Sequence, residues 1–538
     1  MNGPAGVSAH VDTFCRDNLP PPEQWPEFIW EMPGLDYPSQ LNAGAELLDA
    51  AVARGWGDRP CVSDADGDTA WTYSELRDWA DRFANHLVND RGLVPGNRVL
   101  IHSFNNPWMV AAWFGVIRAG GVAVSVMPLL RSRELRTIID KAQIRFALCD
   151  GRLRHEDELA VAGEFPLDSW GPSGAPDLAA ELAGRSEPFT PVSTAADDVA
   201  MLAFTSGTTG QPKAAAHFHR EILAATDTNN ALLRPTSDDV FCGSPPLAFT
   251  YGLGGLLLFP LRVGASTVLT ETPGPALLEA IARHRCTFCF TAPTAYRAML
   301  DGIQNHDLSS LRQCMSAGET LPRSTWEAFH QATGIRLVDG IGSTEMLHVF
   351  ISAVGDDIRP GATGRPIPGY RAEVLDENGQ PAPVGEVGRL AVKGPTGCLY
   401  LDDDRQSVYV ENGWNVTGDA YSKDADGYFW FHARADDMII SAGYNIAAPE
   451  VEESIMNHPA VLECAVVGVP DEARTSIVKA YVVLKEGHEA DESMAREIKD
   501  HVKADIAPYK YPRAVEFLDA LPRTGTGKVQ RFRLRERN

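Results

Sequence analysis

The sequence has few basic residues relative to its acidic ones. Its 538 residues carry 72 Asp and Glu against 48 Lys and Arg, which gives a formal net charge of -24 at pH 7. Nonspecific binding to nucleic acid and adhesion to anionic membranes both need a positive face, so the composition argues against those partners. An anionic ligand must therefore be met by a few local basic groups.

The sequence also lacks a secretory or membrane-spanning segment of the usual kind. Residues 1–11 contain neither a basic run nor an apolar core. The stretch 108–130 is apolar, but Arg118 lies in its middle and Gly120 and Gly121 interrupt it. It predicts a soluble helix, a turn and a buried strand, and we expect a cytoplasmic protein.

The sequence has few cysteine or histidine pairs at the spacings typical of disulfide frameworks or metal sites. The nine cysteines have irregular spacing, which does not indicate a disulfide framework. Cys286 and Cys289 have CxxC spacing without a second pair and lie in an apolar segment, so packing is favoured over zinc or redox chemistry. His217 and His219 point different ways on the helix predicted there, which favours capping or packing over a metal pair.

Alternating apolar strands and helices fill most of the chain and predict an α/β fold. Residues 98–148 read as β-α-β-α-β, followed by a polar surface connection over 151–196 and renewed alternation to residue 338. We therefore expect a large N-terminal domain, residues 1–435, with mostly parallel sheets, flanking helices and a β-rich subdomain over 370–432. Residues 436–538 form a small α+β domain.

The loop Thr205–Lys213 (TSGTTGQPK) has the composition of a phosphate-binding turn. It follows the apolar strand 201–204 and precedes a helix predicted over 217–230. Glycines let backbone N–H groups approach an anion, hydroxyls add donors, and Lys213 adds a positive charge. The loop is not a Walker A sequence, because Gln211 and Pro212 separate the last glycine from Lys213.

Four further motifs follow in a fixed order. They are Ser316-Ala317-Gly318-Glu319, Asp339-Gly340-Ile341-Gly342-Ser343-Thr344-Glu345, Thr417-Gly418-Asp419, and the C-terminal Pro522–Arg531 run with Lys528 on a Gly-rich turn. Together with the loop, this order resembles the adenylate-forming superfamily of acyl-CoA synthetases, adenylation domains and luciferases. The resemblance covers nearly the whole chain.

The resemblance implies a site for ATP and Mg²⁺ and a mobile C-terminal domain. Glu345 would bind Mg²⁺, Thr344 would contact the α-phosphate, Lys528 would be the adenylation lysine, and Asp436 would be the hinge. The other residues implied for the nucleotide are Thr205, Ser206, Gly207, Thr208, Thr209, Lys213, Ala317, Gly318, Glu319, Gly340, Ile341, Gly342, Ser343, and for its ribose Asp419 and Arg434. Ser441, Gly443 and Tyr444 would line the thiol tunnel.

A second set of residues resembles the benzoate-type aryl-CoA ligases within that superfamily. These implied acid-binding residues are Phe249, Thr250, Tyr251, Gly252, Ile341, Gly342 and His348. Thr250 stands where those ligases have Ala, and its hydroxyl could hydrogen-bond a ring substituent. The opening 8–21 further resembles 2-aminobenzoate (anthranilate)-CoA ligases, so 2-aminobenzoate is the expected substrate, with benzoate or a hydroxybenzoate next.

The expected reaction forms an aryl-adenylate from ATP and then an aryl-CoA thioester, with coenzyme A as the thiol substrate. Two other interpretations remain open at this point. A stand-alone adenylation enzyme would load the aryl group onto a carrier protein, and a nucleotide sensor would catalyse nothing, although the intact Lys528 weighs against it. The sequence is also compatible with a homodimer.

Overall fold

The structure is a computed structural model. It describes residues 6–172, 176–205, 212–271, 275–434, 438–441, 444–471, 475–506, 510–523 and 529–537. Two compact units emerge from the contacts within the chain, one of Met1–Ala372 with Val392–Asn415 and the other of Glu373–Ala391 with Val416–Asn538. The boundary expected after residue 435 stays a prediction.

Strands and helices alternate through the described part of the chain. The strands are β1 (Pro60–Asp64), β2 (Ala70–Thr72), β3 (Arg98–His102), β4 (Val122–Val126), β5 (Phe146–Asp150), β6 (Leu167–Trp170), β7 (Val199–Thr205), β8 (Lys213–Phe218), β9 (Val240–Gly243), β10 (Ser266–Leu269), β11 (Phe288–Thr291), β12 (Gln313–Ser316), β13 (Val338–Gly342), β14 (Val349–Ser352), β15 (Arg365–Pro366), β16 (Arg371–Leu375), β17 (Val387–Lys393), β18 (Val410–Glu411), β19 (Trp414–Lys423), β20 (Phe429–Arg434), β21 (Met438–Ser441), β22 (Tyr444–Ala447), β23 (Val461–Asp471), β24 (Thr475–Leu484) and β25 (Ala514–Phe517).

The helices are α1 (Phe14–Asp17), α2 (Ala43–Leu47), α3 (Asp49–Ala51), α4 (Tyr73–Asn85), α5 (Pro107–Arg118), α6 (Ser132–Ala142), α7 (Arg154–Val161), α8 (Leu178–Leu182), α9 (His219–Leu233), α10 (Thr250–Leu253), α11 (Phe259–Arg262), α12 (Pro275–His284), α13 (Pro293–Met299), α14 (Arg323–Thr333), α15 (Gln406–Tyr409), α16 (Ala448–Met456), α17 (Glu492–Asp505) and α18 (Arg531–Arg535). None of the described helices is long and apolar enough to span a bilayer.

Two large sheets dominate the first unit. One has the order β15-β14-β13-β12-β11-β9-β10-β1-β2 and the other the order β6-β5-β3-β4-β7-β8. Their inner strands pair in parallel, and antiparallel pairs occur at the ends, as between β7 and β8 or β13 and β14. Side chains of α4, α5 and α9 share one core with both sheets. The expected α/β class with mostly parallel sheets is confirmed.

The second unit is built from smaller sheets. It holds much of a five-stranded sheet with the order β16-β17-β19-β18, in which β20 also pairs with β19, and the three-stranded sheet β23-β24-β25. Residues of α16 and α17 cover that three-stranded sheet and share a core with the hairpin β21-β22. The described part of residues 436–538 contains the helices α16 and α17 and the apolar strands β23 and β24, which agrees with the expected mixture of helices and strands.

One prediction about the phosphate loop is wrong. The segment after the loop is not a helix from residue 217 but the strand β8, which pairs antiparallel with β7 and places Thr205 opposite Lys213. Ala214, Ala216 and Phe218 are buried in one core while the residues between them face the other way, which is the period of a strand. The helix starts only at His219.

Two other local predictions need correction. The connection over 151–196 contains α7, α8 and the strand β6, which pairs with β5 and buries Trp170. Short edge strands bury few side chains, so their pattern in the sequence is weak. The predicted alternation ends at residue 338, which would leave Gly340, Ile341 and Gly342 in a loop, but they lie within β13, because β13 continues to pair with β14.

Glu221 sits in the first turn of α9 and is fully buried. Its carboxyl group accepts hydrogen bonds from the backbone N–H groups of Phe218 at 2.9 Å and Gly397 at 3.0 Å. Burial raises the pKa of Glu221 to about 8. Since the unfolded chain releases this proton at lower pH, the folded state binds more protons between about pH 4.5 and 8 and loses stability as the pH rises through that window.

We therefore expect the free energy of unfolding to fall between pH 5 and pH 8 by on the order of a few kcal/mol through Glu221. Glu221→Gln, which cannot titrate, should flatten this slope in chemical denaturation at a series of pH values. Glu156→Gln is the matched control, because the hydrogen bond from Ser132 N–H lowers the pKa of Glu156 and keeps it ionised throughout the window. Equal slopes for Glu221→Gln and wild type would contradict the assignment.

Candidate functional site

Lys213 lies at the start of β8 and faces a buried tyrosine. Its ammonium donates a hydrogen bond to the Tyr400 hydroxyl at 2.9 Å, and that hydroxyl donates to a carboxylate oxygen of Glu345. Tyr400 is buried and Glu345 is 7% exposed. Burial, together with the Glu345 charge, raises the pKa of Tyr400 far above its usual value, so the phenol stays protonated and donates.

Tyr400 is placed by a strand-like pairing with β8. The N–H of Ala216 donates to the carbonyl of Leu399 at 2.8 Å, and the N–H of Leu401 donates to the carbonyl of Ala214 at 2.9 Å. Tyr400 lies opposite Ala215 in this pairing. Lys213 and Tyr400 are therefore brought together by backbone hydrogen bonds on the side of β8 away from β7.

Buried amide side chains hold the segment that carries Tyr400. The Gln406 carbonyl accepts from the N–H of Tyr400 at 2.8 Å, and its NH₂ group donates to the carbonyls of Cys398 and Gln24 at 2.9 Å. Asn415 accepts from the N–H of Cys398 at 2.9 Å. These bonds satisfy backbone groups that no regular sheet reaches, and they fix the backbone at Tyr400.

The turn between β13 and β14 carries Ser343, Thr344 and Glu345. His217, two residues along β8 from Ala215, donates from Nε2 to the carbonyl of Thr344 at 2.8 Å. Burial lowers the pKa of His217 to about 4, so its imidazole is neutral and can hold the proton at Nε2. Two side chains of β8 therefore hold this turn: Lys213 acts through Tyr400, and His217 bonds the turn directly.

A group of aromatic rings lies next to this turn. The Tyr251 hydroxyl donates to the carbonyl of Met315 at 2.9 Å, and the Tyr251 and His348 rings lie 5.5 Å apart. The His348 ring contacts Phe259 at 4.5 Å, and burial lowers the His348 pKa to about 3. A neutral imidazole and aromatic rings suit an uncharged aromatic group.

The neighbouring glycines let the chain pack more closely than a side chain would allow. A Cβ on Gly252 would lie 2.1 Å from the carbonyl oxygen of Pro246, and one on Gly254 would lie 2.4 Å from the His348 ring. Thr250, the first residue of α10, is 6% exposed, and its hydroxyl makes no hydrogen bond to the described residues. The predicted acid-binding residues Tyr251 and His348 are brought together here.

The predicted adenine residues lie on two neighbouring strands. Ala317, Gly318 and Glu319 directly follow β12, and Gly340, Ile341 and Gly342 form the end of β13, which pairs in parallel with β12. Gly318 has a φ of 88°, which favours glycine at this turn. The two groups therefore share one edge of the nine-stranded sheet.

In the second unit, Asp419 and Arg434 face each other across β19 and β20. The Arg434 guanidinium donates to the Asp419 carboxylate at 3.0 Å and to the carbonyl of Thr417 at 3.3 Å. Ser441 is buried and pairs with Tyr444 across the hairpin β21-β22. The predicted site residues that lie outside the described part of the chain are Ser206, Gly207, Thr208, Thr209, Asp436, Gly443 and Lys528.

Sequence reasoning missed Tyr400 and Gln406 and gave His217 no role in the site. Tyr400 stands in the run Gly397–Asp402, which reads as an ordinary buried strand. Only the pairing of residues 399–401 with β8 brings it to Lys213, and no local pattern encodes that contact. A tyrosine between Leu399 and Leu401 in a mostly apolar run is the single signal that the sequence offers.

Family models, related sequences and solved structures relate this chain to known proteins. Residues 49–399 match the family model for AMP-binding enzymes, and residues 450–528 match the model for their C-terminal domain. A benzoate–CoA ligase of Thauera aromatica is 35% identical over 94% of this chain and 97% of its own length. A 3-hydroxybenzoate–CoA ligase of Aromatoleum sp. (strain CIB) is 32% identical over 92% and 97%.

A solved structure shows the same likeness in three dimensions. The anthranilate CoA ligase AuaEII, crystallised with anthranoyl-AMP, aligns with a TM-score of 0.87 and 34% identity over 93% of this chain and 98% of that one. Identity at this level along nearly the full length of both chains reflects shared ancestry and not fold alone.

Gln406 supplies a test of how the Tyr400 segment is held. Gln406→Ala leaves the buried N–H of Tyr400 and the carbonyl of Cys398 without partners, so we expect a loss of about 2–4 kcal/mol in unfolding free energy. Ser407→Ala, at the exposed neighbour that bonds only the Asp404 carbonyl, should stay within about 0.5 kcal/mol of wild type in the same denaturant titrations. Equal losses in both variants would contradict this role for Gln406.

Proposed function

The chain belongs to the family of AMP-binding enzymes, and we propose that it is an ATP-dependent aryl-CoA ligase. The proposal rests on one observation: two groups of side chains lie close together along the turn between β13 and β14. The Lys213-Tyr400-Glu345 chain suits phosphates and a metal ion, and the Tyr251-His348 rings directly after it suit an aromatic acid.

The chemistry of a carboxylic acid explains why both groups are needed. A carboxylate repels nucleophiles, so its oxygen first attacks the α-phosphorus of ATP, and the bond to pyrophosphate breaks. The sulfur of CoA then attacks the acyl carbon, the bond to AMP breaks, and the thiol proton is lost. In this scheme Lys213 and Lys528 counter negative charge that develops on the phosphate oxygens.

Glu345 fits a magnesium ion by its chemistry. Mg²⁺ in nucleotide sites is held by one or two carboxylates together with substrate phosphates, and Glu345 offers one buried carboxylate. When bound, the ion neutralises charge on the phosphates. The protein's own part is to hold the carboxylate still, through Tyr400, and the Thr344 carbonyl, through His217.

We propose 2-aminobenzoate as the substrate, with benzoate and hydroxybenzoates as the next candidates. The likeness to an anthranilate CoA ligase and to benzoate–CoA and 3-hydroxybenzoate–CoA ligases supports a small aryl acid in each case. Thr250 supports the choice among them, because its hydroxyl has no partner in the described residues and could bond a ring amino group.

The remaining roles extend the same proposal. The loop Thr205–Lys213 and Ser343 would bind the phosphates, Ala317–Glu319 and Gly340–Gly342 the adenine, and Asp419 with Arg434 the ribose. Residues 436–538 would move about Asp436 between the two half-reactions, exchanging Lys528 for a thiol tunnel lined by Ser441, Gly443 and Tyr444. The described geometry supports the pairing of Asp419 with Arg434.

Incubation with ATP, Mg²⁺, CoA and separate benzoate, 2-aminobenzoate and 2-hydroxybenzoate tests the function. We expect AMP and the 2-aminobenzoyl-CoA thioester by mass, and neither in Lys528→Ala. A preference for another acid would correct only the substrate. Adenylate without thioester would favour loading of a carrier protein, and full adenylation by Lys528→Ala would contradict the role of that lysine.

Thr250 gives a sharper test of the ring substituent. Thr250→Ala should shift the ratio of kcat/KM from 2-aminobenzoate towards benzoate by about tenfold, because one hydrogen bond to the amino group is lost. Thr250→Ser keeps the hydroxyl and should keep the wild-type ratio. An unchanged ratio in Thr250→Ala would count against this contact.

A further inference from the structure

We propose that Tyr400 is a positioning residue that keeps the Lys213 ammonium and the Glu345 carboxylate from pairing directly, so that both stay available to the metal-bound nucleotide. This role rests on the proposed function. It concerns a side chain that no predicted motif contains and that touches both charged groups at once.

The geometry is that of a one-atom spacer. The Tyr400 oxygen accepts from the Lys213 ammonium at 2.9 Å and donates its own proton to Glu345. A phenol has one proton and lone pairs to spare, so it can serve both partners together. Among the described residues Lys213 and Glu345 form no direct ion pair, although a single oxygen atom bridges them.

Without the hydroxyl, the two charges would be free to meet. A Lys–Glu pair shielded from water is held far more strongly than an exposed one, because the effective dielectric constant is low. Such a pair would neutralise the ammonium needed by the phosphates and the carboxylate needed by the metal ion. Binding MgATP would then have to break it first.

Tyr400 can act as a spacer because its own position is fixed independently of either charge. Its backbone is held by Gln406 and by pairing with Ala215, and its ring packs edge-on against Tyr409 at a centroid distance of 5.8 Å. The Lys213 ammonium also lies 4.7 Å from the centre of the Tyr400 ring.

Tyr400→Phe keeps the ring and removes the spacer. By calorimetry, ATP binding in the presence of a metal chelator should weaken at least about tenfold, since Lys213 is then occupied by Glu345. The Mg²⁺ concentration that half-restores ATP binding should rise by a similar factor. In steady-state assays the KM for MgATP should rise while the KM for the aromatic acid stays that of wild type.

Two further variants separate this role from a loss of stability. Tyr73→Phe removes another fully buried hydroxyl, which donates to the Ala265 carbonyl at 2.6 Å, and it should change neither ATP nor Mg²⁺ dependence. Adding Glu345→Gln to Tyr400→Phe removes the charge that captures Lys213. Metal-free ATP binding should then recover towards the wild-type value.

Wild-type ATP binding in chelator by Tyr400→Phe, or no recovery in the double variant, would overturn the proposal. If Tyr73→Phe gave the same weakening, the effect would be one of stability, and the proposal would also fall. These are binding measurements, so they remain decisive if the wild-type protein forms no aryl-adenylate. That result would refute the proposed ligase activity, whereas the ATP-binding results would decide the spacer role of Tyr400 separately.

Discussion

Backbone hydrogen bonds on both sides of β8 are the constraint on which the site depends. One side pairs with β7 and brings Thr205 opposite Lys213, and the other pairs with residues 399–401 and brings Tyr400 opposite Ala215. Alternate residues of a strand share a face, so this one strand sets Lys213 and His217 at a fixed spacing. The two contacts to the turn 343–345 follow from that spacing.

Burying charged groups at this place is costly unless each has a partner. Lys213, Tyr400 and Glu345 form a chain of two hydrogen bonds, and the phenol between the two charged groups keeps its proton. A protein with a net charge of -24 can thus present a local positive group to an anionic ligand. The acidic groups on the surface have little influence on this site, because the electrostatic interactions within it are short and shielded from water.

Much of the fold could be predicted because the parallel strands are nearly continuous apolar runs between helices. The elements β3, α5, β4, α6 and β5 agree with the predicted β-α-β-α-β alternation, and the small C-terminal elements agree equally well. The β7-β8 hairpin could not be predicted in the same way. Its strand β8 contains three consecutive alanines, which favour helix over strand, so only its pairing partners decide the outcome.

The residues of the candidate site also differ in how far the sequence predicts them. Lys213, Thr344, Glu345, Tyr251 and His348 are predicted from the resemblance of their short segments to a family, and their roles stay predictions. The structure links Lys213 to Glu345 through Tyr400 and places the Tyr251 ring next to His348. Tyr400 is close to Lys213 only through pairing of segments 187 residues apart. Such a contact depends on the register between the segments, and a shift by one residue would turn Tyr400 to the opposite face.

The aromatic side of the site is shaped by missing side chains as much as by rings. Gly252 lets α10 approach the Pro246 carbonyl, and Gly254, directly after α10, lets the His348 ring approach the backbone. His348, neutral because it is buried, then offers a polar edge without a charge. Neutral aromatic and imidazole side chains interact more favourably with a planar aromatic ring than with a flexible aliphatic chain, so the composition of this region favours an aromatic acid.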